Sequence, residues 1–189
     1  MRGNMKKLLI SGLLIITTAS AFAQGSVNFR NNVLPGGNRL VYLGDPSANI
    51  PLVGTNYVAE LWAGTDAASL APVSGSISRF LEPTTTLPGT WRGKTLILPI
   101  GGVGVPITLQ VRVWDASVYT TYAASAAAGY GGSSTPFTYI QGIPFGPPTD
   151  TWMVGFTSFG VVPIPEPTTI LLSLLGAGAF LLRRRKRMF

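Results

Sequence analysis

The chain has no cysteine and no histidine. Without cysteine an exported protein of this size must hold its fold by packing and hydrogen bonds, since no disulfide can constrain it. The two absences together remove Ser-His-Asp and Cys-His nucleophile systems, the usual His and Cys zinc sites, and haem or iron–sulfur ligation. Charge is also scarce, at 11% of residues, and the formal +7 comes from the two ends. Between Gln24 and Ile164 the six cations Arg30, Arg39, Arg79, Arg92, Lys94 and Arg112 balance the six anions Asp45, Glu60, Asp66, Glu82, Asp115 and Asp150. A neutral body has no electrostatic footprint for phosphates, and nucleic acid is rejected as a partner.

Both ends read as addresses. Arg2, Lys6 and Lys7 precede an apolar stretch from Leu8 to Ile16, and Ala21-Phe22-Ala23 offers small residues at the two positions a signal peptidase inspects. Residues 1–23 are therefore expected to be a signal peptide, cut between Ala23 and Gln24. At the other end Pro165-Glu166-Pro167 leads into an apolar run from Ile170 to Leu182, then Arg183, Arg184, Arg185, Lys186 and Arg187. A strictly apolar core of thirteen residues spans only about 20 Å as a helix against about 30 Å of hydrocarbon. Thr168, Thr169 and Pro167 extend it, and the arginines can snorkel to the headgroups. Cations on the last turn keep that end cytoplasmic, while the N-terminal signal sends the body outward. A transmembrane helix is expected here.

The order of tripeptide, greasy helix and basic stop over residues 162–189 resembles the PEP-CTERM sorting signal of Gram-negative surface proteins. The resemblance implies recognition by the membrane protease-transpeptidase exosortase, a transient membrane anchor, and delivery to the cell surface or extracellular matrix in a setting of exopolysaccharide production. Three body segments, Gln24 to Phe29, Tyr57 to Gly64 and Gln110 to Asp115, are similar to uncharacterised PEP-CTERM proteins, often verrucomicrobial. That likeness implies no activity.

The body from Gln24 to Val161 has the length of one domain. Runs alternating with period two are separated by Gly, Pro, Asn and Ser clusters, the pattern of an all-β domain. Strands are expected at Ser26 to Arg30, Leu40 to Leu43, Asn56 to Trp62, Gly75 to Phe80, Lys94 to Leu98, Pro106 to Trp114, Pro136 to Ile140 and Trp152 to Val161. Eight strands at this spacing imply a single antiparallel sandwich or jelly roll. Along Pro106 to Trp114, Ile107, Leu109, Val111 and Val113 face one way while Thr108, Gln110, Arg112 and Trp114 face the other. One short helix is expected from Thr120 to Ala128, with Tyr122, Ala123, Ala126 and Ala127 gathered on one side and Gly129 ending it.

With His and Cys absent, hydrolysis would need two acids about 5–10 Å apart in a cleft. Glu60, Glu82, Asp115 and Asp150 are the candidates; Asp45 before Pro46 and Asp66 after Gly64-Thr65 read as turn formers. No cofactor and no metal are expected. If the strands bearing Trp62 and Trp114 are neighbours, Trp62, Trp114, Glu60 and Arg112 make a polar-edged platform on which a sugar ring could stack; the competing reading packs both tryptophans inside. The sequence thus points to a non-enzymatic exported surface protein, with a carbohydrate-binding module second and a carboxylate-based glycan hydrolase third.

Overall fold

The computed structural model describes residues 24–32, 34, 37, 39–82, 87–142 and 151–165. The expected signal peptide, with Ala21 and Ala23, and the expected transmembrane helix and basic stop lie outside the described residues. Among the described residues no helix is long and apolar enough to cross a membrane.

The long strands form where alternation is cleanest. Strand β3 (Tyr57–Gly64) pairs antiparallel with β7 (Pro106–Asp115) over eight registers, from Tyr57↔Asp115 to Gly64↔Thr108. On β7, Ile107, Leu109, Val111 and Val113 are buried while Thr108, Gln110 and Arg112 are half-buried. On β3, Ala59, Leu61 and Ala63 take the buried side and Glu60 and Trp62 the half-buried one. Period-two burial of this kind fixes register, because a one-residue slip would move every apolar side chain to the wrong face.

This pair is the spine of a six-stranded sheet ordered β4 (Ala71–Pro72), β3, β7, β8 (Gly132–Ser133), with β5 (Ser78–Arg79) also on β3 and β9 (Phe137–Ile140) also on β7. Two ladders complete the described strands: β1 (Ser26–Phe29) antiparallel to β6 (Lys94–Ile97), and β2 (Val41–Leu43) parallel to β10 (Phe159–Val161). A single α-helix, α1 (Tyr122–Ala127), and a 3-10 turn at Pro46–Ala48 are the helical elements among the described residues. The class is all-β.

The buried side chains of all three sheets meet in one core. At its centre Trp91, fully buried, lies 5.0 Å from Phe29, 5.8 Å from Phe80 and 5.8 Å from Phe156, ring centre to ring centre. Phe156 continues the chain of rings to Phe137 and Phe159. Edge-to-face pairs like these add about 0.5–1.5 kcal/mol each to the burial of their area. Asn31 stitches the loops around Trp91: its Nδ2 donates to Arg39 O and Gly89 O, both at 2.8 Å, and its Oδ1 accepts from Trp91 N at 3.2 Å. A buried amide so engaged meets three backbone groups at once.

The expected strands hold in place but several are shorter. Gly75 to Phe80 contributes only the two residues of β5, and Trp152 to Val161 only β10, because Met153 and Phe156 turn inward through a bend closed by Phe156 N on Met153 O. The two-residue strands β4 and β8 were not foreseen. Helix α1 forms where expected, with Thr121 accepting from Ala124 N at its start and Gly129 at φ 84 past its end. Its buried residue is Ser125.

Candidate functional site

The half-buried face of the main sheet brings three of the four expected platform residues together. Antiparallel pairing sets Glu60 opposite Arg112 and Trp62 opposite Gln110, so both sequence neighbours and cross-strand neighbours converge. The Arg112 guanidinium lies 3.6 Å over the Trp62 ring and 5.1 Å from that of Tyr122 on α1. Arg112 Nε donates to Gln110 Oε1 at 2.9 Å, and Trp62 Nε1 donates to Glu60 Oε2 at 2.8 Å. The result is a stacked, hydrogen-bonded set in which each polar group already has a partner. Burial pushes the Arg112 guanidinium below its ordinary value, against the opposing influence of Tyr122 and Glu60. A cation held over tryptophan contributes about 0.5–2 kcal/mol, depending on how far water is excluded.

Trp114 departs from the expected platform. It is 2% exposed, and its Nε1 donates to Tyr119 O at 2.9 Å. Tyr122 meets it edge-on, with centroids 6.3 Å apart. The loop and helix that follow β7 fold back over its end, so the last residue of the polar row is covered although its neighbours are not. Tyr122 was the residue missed here: the sequence placed it on a helix, and nothing in the helix pattern indicated which strand it would cap.

The acids do not form a pair of free carboxylates in a cleft among the described residues. Asp45 accepts from Ser47 N at 2.7 Å, and the Ser47 hydroxyl first and this amide second hold its carboxyl below the ordinary value. Asp66 accepts from Ala68 N and Ser69 N, both at 2.9 Å, with its carboxyl likewise lowered by the Ser69 bonds first. Asp115 caps the turn after β7 through Ser117 N at 2.8 Å. Glu60 is engaged by Trp62, Glu82 is exposed, and Asp150 lies outside the described residues. No three His, Cys, Asp or Glu side chains gather among the described residues.

At the C-terminal side, β10 is held on both flanks. It runs parallel to β2, and Val162 exchanges two backbone bonds with Gly131, at 3.0 and 3.1 Å. Gly160 permits this: a Cβ there would sit 1.9 Å from Gly44 O, and one on Gly132 would sit 2.2 Å from Gly160 O. Val161 is fully buried, whereas Pro163 and Pro165 are exposed. Glu166, Pro167 and the cations Arg183, Arg184, Arg185, Lys186 and Arg187 lie outside the described residues. Pro165 is four residues beyond the last core side chain, a reach of at most about 14 Å in extended chain.

No curated protein and no solved structure matches the chain. Residues 163–187 match the family described as the PEP-CTERM protein-sorting motif. The chain therefore carries a PEP-CTERM sorting motif that begins one residue after the backbone pairing of Val162 to Gly131.

Proposed function

We propose that this is an exported, non-enzymatic component of the cell surface or extracellular matrix, sorted through its C-terminal motif by an exosortase and associated with exopolysaccharide. The observation that carries the reading is the sorting motif at residues 163–187, set directly against the folded body. The N-terminal signal of residues 1–23 supplies export, and the apolar run with its basic stop supplies a transient anchor. The engagement of Asp45, Asp66 and Asp115 in turns and of Glu60 by Trp62 supports a body without a catalytic pair. We read the β1–β6 and β2–β10 ladders as the second layer of a sandwich over the six-stranded sheet, a reading supported by the common core they share.

Replacing Arg183, Arg184, Arg185 and Lys186 with glutamine tests the sorting half. It removes most of the orientation signal while leaving the apolar run intact. The expected outcome is loss of tail processing, read as retention of full-length protein in the membrane fraction; unchanged processing would contradict the proposal.

The second reading is a carbohydrate-binding face. It is favoured by Trp62, half-buried at a polar edge made by Glu60, Gln110 and Arg112. With Trp114 covered and Arg112 lying over one face of Trp62, only the other face of Trp62 remains of the expected tryptophan pair for stacking. Trp62→Ala should then weaken retention on the producer's own polysaccharide by about five- to hundred-fold, the value of one ring stacked on an aromatic by analogy with bases.

A further inference from the structure

The neutral charge total of the body conceals a cluster. A cleft of about 330 Å³ opens between β5 and the start of β6, and Arg79, Arg92 and Lys94 line it together with Thr55, Ser78 and Ile77. Half of the body's six cations thus surround one hollow, and no acid is among its lining residues. A fourth cation is close by, since a Cβ on Gly93 in the cleft wall would lie 3.0 Å from Arg30 Nε.

The fold forces these charges together. Arg92 N donates to Arg79 O at 3.0 Å, and the Ser78 hydroxyl donates to Arg92 O, so the two arginines sit on paired backbone. Arg79 Nη1 is tied to Thr55 O at 2.9 Å, and Lys94 Nζ to Ile77 O at 2.7 Å and Gly75 O at 3.2 Å. Both heads are therefore drawn to backbone acceptors at the cleft wall. Each keeps donors in reserve, one of three on the lysine and most of the five on the arginine. Arg92 is exposed, and its guanidinium bonds to nothing among the described residues. A concave site of one sign concentrates the field and favours a counter-charge, and an unengaged guanidinium can donate two parallel bonds to a carboxylate.

We propose that this cleft binds a carboxylate-bearing saccharide, one or two units of an acidic glycan. Its volume lies at the small end of ligand pockets, which run from about 300 to 1,000 Å³. Ile77, 50% exposed, gives an apolar wall for the C–H face of a ring, and Thr55 adds a hydroxyl at the rim. A single-stranded nucleic acid is disfavoured because no aromatic lines the cleft to stack a base. The proposal rests on the extracellular, glycan-associated part of the function proposed above. Sorting is read from loss of the tail, so the two can fail separately.

The test is titration calorimetry of the full-length protein in neutral detergent with trigalacturonate, at about 50 mM salt so that exposed charges are weakly screened. Arg92→Gln and Arg92→Glu are compared with wild type; the basic tail is the same in all three, so the difference reports the cleft. The expected result is binding by wild type, weakened about five- to ten-fold by Arg92→Gln and reduced by Arg92→Glu to the residual binding of the basic tail, at unchanged melting temperature. Maltotriose, which is neutral, should not bind. The proposal is overturned if wild type does not bind, if both variants match it, if maltotriose binds as tightly, or if inorganic phosphate or an oligothymidylate competes at equal concentration.

Discussion

Individual residues separate the two roles a tryptophan can have in this chain. Trp114 has its indole N–H bonded to Tyr119 O and its ring covered by Tyr122, so truncation would leave a cavity and an unpaired carbonyl. Trp114→Ala is expected to lower stability by about 3–5 kcal/mol, a large part of the margin of a small domain, as read by denaturant unfolding. Asn31→Ala should act through hydrogen bonds instead. It strips partners from Arg39 O and Trp91 N, while Gly89 O keeps its bond from Val41 N, and a buried group left unmet costs about 1–3 kcal/mol. Replacing Asn31 by Asp keeps the acceptor for Trp91 N but sets a buried carboxylate oxygen against Arg39 O and Gly89 O, and it should cost at least as much as alanine. Tyr139 sets a pH limit. Burial raises its phenol to about 12 from an ordinary value of 10.0, while its hydroxyl donates to Ser26 O at 2.6 Å. The folded state thus holds the proton more tightly than the unfolded chain, so its contribution is complete below pH 10.0 and is lost as pH rises toward about 12. Tyr139→Phe should lower the melting temperature at neutral pH and flatten its fall across that window.

At the level of elements, legibility followed burial. Strands β3 and β7 were plain in the sequence because each buries one side chain in two, and Ile107, Leu109, Val111 and Val113 landed on the core side as the alternation required. Helix α1 was legible in its extent and in Gly129 at its end, but neither the capping role of Thr121 nor its buried face was, since alanine has too little surface to prefer the inside. The covered position of Trp114 was beyond reach for a related reason: it depends on a helix folding back over the strand, which no local period encodes. The cleft of Arg79, Arg92 and Lys94 was missed because a charge sum discards position, and these residues meet only through the pairing of β5 with the segment leading into β6. Gly160 is the counterpart in backbone terms, unremarkable in sequence yet wedged against Gly44 O. Gly160→Ala must push β10 away from β2, and it is expected to destabilise the domain severely and expose Val161, measured by faster hydrogen exchange of Val161 and Val162 relative to β7.

Taken as a whole, the molecule is a neutral β body whose last strand leads straight into a sorting motif. The reach from Val161 to Pro165 is at most about 14 Å, so the motif starts close to β10, which is paired to β2 and followed by the Val162 bridge to Gly131. That geometry makes the state of the C-terminus the clearest report on the account. Intact-mass spectrometry of the protein released from the surface of the wild-type producer should give a chain beginning at Gln24 and lacking the basic cluster Arg183 to Arg187, with everything through β10 retained. A mass that still includes Phe189 would contradict sorting through this motif.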